Sequence, residues 1–472
     1  MDTSSPATRA PVSRVGVGPL AVLATAQFLV VLSTSIVNVA LPAIRSGLGM
    51  SPAALSWVVN AYLLAFGALL LPGGRAADLF GRRRVLLTGL TVFALATLTA
   101  GLAPSAATLI AARAAQGVGA ALLAPAALSL LLVMYQGPAR GTALGVWGAV
   151  SGAGGAAGVL LSGVLTQVSG WRAVFIATLP VALVVLAVVP RLVPPDAARS
   201  TGTRIDLPGT ATVTAALVAL TYGLAMGGRS GWTSPAIVGA LTAGVILLGA
   251  FWWIERRSPD PLVPPRILRA VGRANLVMIL LGAVWVGLFY YLPLYQQQVL
   301  GYGPLLAGLT QLPMAAAITL ASALAPRPAR RYGHRATLVT GLVLLTGGLA
   351  WLAQAGAGAG FATGILGPSL LIGAGLGTAF VELTTASTDG VTGRDAGLAG
   401  GLVNTTRQIG GALGLAILTA VATARTDRVT AHASASHALA AGHRAAFLGA
   451  ALIAALAAVL SQTTFRGASA ER

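Results

Sequence analysis

Apolar runs of about 20 residues or more recur from one end of the chain to the other, and each is long enough to cross about 30 Å of hydrocarbon as a helix. Inside a bilayer every backbone N–H and C=O must be satisfied within the protein, so only helices and closed barrels can span it. The runs lack the two-residue alternation of a barrel strand, which leaves helices. Composition points the same way, because 56% apolar and 9% charged residues cannot provide a polar surface for a chain of 472 residues. The expectation is an all-α polytopic membrane protein.

Fourteen candidate spans begin near Pro19, Pro52, Val85, Ala106, Gly141, Trp171, Leu207, Ser234, Leu276, Pro304, Ala336, Phe361, Gly397 and Ala445. The polar start Met1 to Arg14 leads into an apolar run too long for a signal-peptide core, so it reads as a retained first span. With no cysteine there is neither a disulfide framework nor a thiolate metal site. All 30 basic residues are arginine, and placing both termini in the cytoplasm puts most of them in inner loops and tails, as the positive-inside rule requires. The net charge of +19 is scattered among short loops beside anionic headgroups and forms no basic domain, which argues against nucleic acid.

A weak internal duplication is visible. The loop Gly73 to Arg84 after the second span has a counterpart in Arg327 to Arg335 after the tenth, and the glycine-rich fifth span (Ser151 to Gly158) has one in the thirteenth (Gln408 to Gly414). Two six-helix halves with an inserted pair follow: a tail at 1–18, a first bundle at 19–193, a linker with two extra helices at 194–273, a second bundle at 274–465 and a tail at 466–472. Such repeats are the usual build of a rocking secondary transporter, with substrate bound near the midplane between halves.

Five stretches carry a family resemblance over almost the whole length: SIVNVALPAI from Ser35, SWVVNAYLL from Ser56, GRAADLFGRRRVLL from Gly74, ARAAQGVGAA from Ala112 and GLAGGLVNTTRQIGGALG from Gly397. In this order they resemble the major facilitator superfamily, and within it the 14-span EmrB/QacA-like drug:proton antiporters. The resemblance implies that Gly74, Asp78, Gly81, Arg82 and Arg83 form a conformational latch, with charge contacts made in one state and broken in the other. Leu79 stands where the family often has a basic residue. The plainer reading of the loop is topology control by arginine alone, which leaves Asp78 unexplained.

Ser33 stands in the first span where the family usually carries an aspartate, so the ordinary acid for proton coupling is missing. Arg113 and Gln116 lie one turn apart on the fourth span, and an intramembrane cation costs about 2.5 to 3.5 kcal/mol on insertion scales, which marks a functional position. The resemblance implicates this arginine in proton transfer; structural bonding to carbonyls is the other reading. Glu382, near the cytoplasmic end of the twelfth span, is a candidate for relocated proton coupling, because burial raises a carboxylate's pKa, or else a residue that reaches water at the interface. Ser33, Asn38, Asn60, Gln116, Asn404, Arg407 and Gln408 are candidates to line the substrate cavity, although the last three also read as interhelical polar packing. The fifth span lacks the proline of the family's antiporter motif, reading Gly158, Val159, Leu160, Leu161, Ser162, Gly163, and its glycines supply faces for close helix packing.

Enzymatic readings find no support: the four histidines, His334, His432, His437 and His443, are expected in loops, and no phosphate-binding glycine loop is present. No metal and no cofactor are expected, and Asp206 reads as a helix cap. The reading is therefore a monomeric transporter of the cell membrane that exports lipophilic small molecules by alternating access, with proton antiport implied by the resemblance. An uncoupled facilitator and a non-transporting receptor or scaffold remain as alternatives. One candidate acid facing two intramembrane arginines disfavours dicationic drugs and favours neutral or weakly anionic lipophiles.

Overall fold

The computed structural model describes residues 16–195, 206–258, 261, 263, 265–356, 358, 360–389, 391, 396–430 and 434–464. Residues 1–15 of the tail expected at 1–18, the expected tail at 466–472, the linker segment 196–205 and His432 lie outside the described residues, and the first helix already begins at Val17. Fourteen long helical segments follow one another: α1 (Val17–Leu48), α2 (Pro52–Phe80), α3 (Arg82–Gly101), α4 (Ala106–Met134), α5 (Pro138–Ser169), α6 (Trp171–Ile176 continued by Leu179–Leu192) and α7 (Leu207–Ser230). Then come α8 (Pro235–Glu255), α9 (Pro265–Gln298), α10 (Pro304–Leu309 continued by Leu312–Leu324), α11 (His334–Leu352), α12 (Gly367–Ala386, preceded by a π turn at Phe361–Leu366), α13 (Ala396–Thr430) and α14 (Ala435–Thr464). Thirteen of the described segments are long and apolar enough to cross a membrane, and α7 adds a helix of 24 residues.

The helices start where local chemistry dictates. Ser51 accepts from Ala54 N–H at 3.2 Å, Ser105 from Thr108 N–H at 3.2 Å and Asp206 from Gly209 N–H at 2.8 Å, each relieving an orphan donor of a first turn. Proline occupies an early position of α2, α5, α7, α8 and α10, where its missing N–H is harmless. Some helices reach beyond the apolar runs: α9 starts at Pro265 instead of near Leu276, and α14 at Ala435 instead of near Ala445. Helix propensity continues past the hydrocarbon boundary because polar residues also satisfy the backbone ladder.

The duplication appears in the packing. In the first half α1 packs on α5, and α4 on both α2 and α3; eight helices later α9 packs on α13, and α12 on both α10 and α11. The loops repeat too, since Gly81 before α3 (φ 99°, ψ 131°) and Gly333 before α11 (φ 86°, ψ 154°) share a backbone conformation that penalises any side chain. Between the halves α2 packs on α13 and α5 on α10, again as counterparts. The inserted helix α7 lies along α2 and α13, with α8 outside it. Burial ranks the layers: 78% of the apolar window of α4 is buried and only 11% of that of α8, whose Val245, Ile246 and Trp253 point outward as lipid-facing residues should.

Candidate functional site

Two groups of polar residues stand out, one at the arginine-rich end of the bundle and one at mid-height. The first is centred on Asp78 in the last turns of α2. Its Oδ1 accepts from Arg82 Nη2 at 3.1 Å, and its Oδ2 accepts from the backbone N–H of Leu398 at 2.9 Å. Leu398 lies in the first turn of α13, so a carboxylate of one half satisfies an orphan donor at the positive end of a helix in the other. Arg82 also donates from Nε to Ser129 Oγ at 2.6 Å, and Arg83 from Nη2 to Pro190 O at 2.8 Å. Gly81 supplies the positive-φ turn between α2 and α3. Across the same seam a Cβ on Gly401 would stand 3.0 Å from Leu70 O and 3.5 Å from Gly74 Cα, so the two helices meet almost backbone to backbone. All five expected latch residues therefore lie together.

The counterpart seam carries a contact that the motifs did not reveal. Arg140, in the first turn of α5, donates from Nη2 to Thr388 O at 2.6 Å, just past the end of α12. Gly145, Gly148 and Gly152 let α5 approach α10 closely, since added Cβ atoms would lie 2.9 Å from Ser322 O, 3.0 Å from Ser322 Oγ and 2.3 Å from Ile318 Cγ2. Gly154 and Gly158, on another face of α5, do the same for Phe28 and Ser35 of α1. The small-residue faces are thus helix contacts.

Glu382 is 1% exposed and lies 2.7 Å, Oε2 to Nδ1, from His334, whose side chain is 53% exposed at the first position of α11. The carboxylate reaches the surface through an imidazole. The histidine expectation needs correcting: His334, His437 and His443 lie in helices, because α11 and α14 begin earlier than their apolar runs. His443 is buried, with Nδ1 2.7 Å from Leu439 O and its ring edge-on to Tyr291. A second carboxylate was missed: Glu255, at the end of α8, is buried and accepts from Val263 N–H at 2.9 Å, closing the segment after the inserted pair.

At mid-height Arg113 is 1% exposed. It donates from Nε to Val58 O at 2.9 Å, from Nη1 to Ser33 Oγ at 3.3 Å and to Gln116 Oε1, while Gln116 Nε2 donates to Thr97 Oγ1 at 2.8 Å. The guanidinium lies 4.3 Å from the ring centroid of Tyr62, whose hydroxyl donates to Val30 O at 3.3 Å. From the other half Arg407 donates to Asn404 Oδ1 at 3.4 Å. Ser33, Arg113 and Gln116 therefore form one network beside Tyr62, a residue that its apolar surroundings in the sequence concealed, and Arg407 pairs with Asn404 on α13. Asn38 is exposed, and Asn60 and Gln408 are half-buried.

A duplicated helical bundle whose halves meet through polar contacts, with buried polar and charged groups inside its spans, is the architecture of a multi-pass membrane transporter. The profile of the Major Facilitator Superfamily matches residues 23–209 and 207–415, and the chain belongs to that family. It is 42% identical to the cephamycin export protein CmcT of Amycolatopsis lactamdurans, over 94% of this chain and 91% of that one. It is 43% identical to the puromycin resistance protein pur8 of Streptomyces alboniger, over 86% and 82% respectively. Among solved structures it resembles the human organic anion transporter MFSD10, with a TM-score of 0.69 at 18% identity over 96% of this chain and 100% of that one.

Proposed function

We propose that the protein exports lipophilic antibiotics or related small molecules across the plasma membrane by alternating access, as a monomer coupled to protons. Its similarity to a cephamycin export protein and a puromycin resistance protein supports the substrate class. The observation that carries the reading is the bond from Leu398 N–H to Asp78 across the two halves. A carboxylate at a helix N-terminus contributes about 0.3 to 1 kcal/mol, up to about 2 when partly buried. That is far too little to hold a bundle together, yet it changes a two-state ratio about 2- to 30-fold. Such a contact sets a conformational equilibrium. Because the arginine-rich end reads as cytoplasmic, the latched state faces outward, and substrate enters from the cell once Asp78 releases α13.

Glu382 and His334 are the proposed proton site. A proton arriving from water protonates the exposed imidazole and passes along the 2.7 Å contact to the buried carboxylate, and the neutral acid costs less to bury than the anion. The second reading, an uncoupled facilitator, is favoured by Ser33, whose hydroxyl accepts from Arg113 where the family's acid would stand. Accumulation of labelled puromycin in an exporter-deficient host, with and without the protein and a protonophore, tests both. Lower accumulation that the protonophore reverses supports coupled export; lower accumulation that ignores it favours the facilitator; unchanged accumulation across a panel of lipophilic antibiotics removes the exporter reading.

A further inference from the structure

The inserted helix α8 ends, on the arginine-rich side, in a stretch whose two faces differ in kind. Helical spacing puts Phe251 and Glu255 on one face and the pairs Trp252–Arg256 and Trp253–Arg257 on the other. Phe251 packs against an apolar cluster that α2, α7, α9 and α13 share, and Glu255 is buried and accepts from Val263 N–H at 2.9 Å. On the outer face Trp252 and Trp253 are 40% and 59% exposed, and both arginines are exposed. Each arginine lies over the ring one turn before it. The Arg257 guanidinium is 3.9 Å from the ring of Trp253, and that of Arg256 is 5.0 Å from the ring of Trp252. Stacking engages the flat face of a guanidinium and leaves its in-plane N–H donors free. Among the described residues neither group has an acceptor, the adjacent acid Glu255 being turned inward. The helix that α8 packs along is α7, and only 11% of its apolar window is buried, so lipid surrounds most of it. Tryptophans at the end of such a span stand at headgroup level.

We infer that the end of α8 binds the headgroup of an anionic phospholipid, with Arg256 and Arg257 donating to its phosphate oxygens and Trp252 and Trp253 beside its glycerol and upper acyl chain. Guanidinium forks match phosphate geometry, and the stacked rings hold them ready, so little side-chain freedom is lost on binding. A zwitterionic headgroup brings a cation of its own, which two adjacent guanidinium groups repel. Glu255 ties the same turn to Val263, just ahead of α9, so a bound headgroup holds the link between the inserted pair and the second half against one leaflet. The site does not depend on what the protein transports.

The test places the purified full-length protein in phosphatidylcholine nanodiscs with a trace of phosphatidylglycerol or phosphatidylcholine carrying a diazirine in its acyl chain, and maps the cross-linked peptides by mass spectrometry. Phosphatidylglycerol should label the end of α8 at least about fivefold more than phosphatidylcholine does, since one arginine beside an anionic headgroup contributes about that factor. Arg256→Gln with Arg257→Gln should abolish the preference. Arg330→Gln with Arg331→Gln, which removes equal charge from two other exposed positions at the same end, should leave it. Trp252→Leu with Trp253→Leu should lower it at least about twofold through the lost stacks. An unchanged size-exclusion profile checks folding in each variant. Equal labelling by the two lipids, or a preference retained in full by the Arg256 and Arg257 variant or by the tryptophan variant, overturns the site. Equal loss in both arginine variants also overturns it, because diffuse surface charge would then account for the labelling, and so does full displacement by soluble glycerol 3-phosphate, which would make the ligand a free phosphoester.

Discussion

Asp78 Oδ2 accepts the backbone N–H of Leu398 at 2.9 Å, joining residues 320 positions apart and on opposite halves of the protein. Its partner is a helix N-terminus, so the bond requires α13 to present its first turn to the end of α2, and under the proposed alternating access it is lost when that end opens.

Asp78→Asn should therefore reduce export several-fold while leaving protein abundance within about twofold of wild type, since the change removes about 0.3 to 2 kcal/mol from one state and nothing from the helix cores. Export rate normalised to membrane content measures it. Parallel loss of both quantities would make Asp78 a structural residue.

Glycine substitutions should separate packing from switching. A Cβ on Gly410 would lie 2.0 Å from Ile279 O within the second half, whereas one on Gly401 would lie 3.0 Å from Leu70 O across the seam. Gly410→Ala should depress abundance in the membrane, because overpacking typically costs about 1 to 3 kcal/mol. Gly401→Ala should leave abundance near normal and alter transport, its clash being confined to the latched state. Equal loss of abundance in both variants would contradict this distinction.

The spans, the loop from Gly74 to Arg83 and the buried Arg113 were legible in the sequence because length, arginine placement and an intramembrane charge are strong signals. The pairing of Glu382 with His334, the bond from Arg140 to Thr388 and the place of Tyr62 were not. In a soluble helix the apolar stripe tells which face is buried, but here lipid-facing and core-facing sides are equally apolar, so helix faces cannot be assigned from periodicity. His334 looked like a loop residue because its helix begins ahead of its apolar run, and the burial of Glu255 beside Val263, eight residues further on, left no pattern in the sequence.

Topology is directly testable in a chain without cysteine. Thr233, between α7 and α8, and Gln136, between α4 and α5, are both exposed. An impermeant thiol reagent on intact cells should modify Thr233→Cys and spare Gln136→Cys. Modification of Gln136→Cys alone would invert the orientation drawn from arginine placement.

The proposed proton coupling turns on Glu382. In proteoliposomes Glu382→Gln should abolish transport driven by an imposed pH gradient and retain substrate exchange, because the amide keeps shape and polarity but cannot carry a proton, and Ser33→Ala should be mild. His334→Ala should slow gradient-driven transport by removing the exposed relay. Wild type that ignores the gradient while Ser33→Asp responds to it would establish the uncoupled facilitator instead.

In the proposed mechanism the closed arginine-rich end is one of two states whose ratio the Asp78 contact sets. Spin labels at Gln136→Cys in one half and Tyr332→Cys in the other, both exposed near that end, report it through their distance distribution in nanodiscs. Two populations are expected, with Asp78→Asn moving weight to the longer distance about 2- to 30-fold in ratio. A single distance that Asp78→Asn leaves unchanged would contradict alternating access under control of this latch.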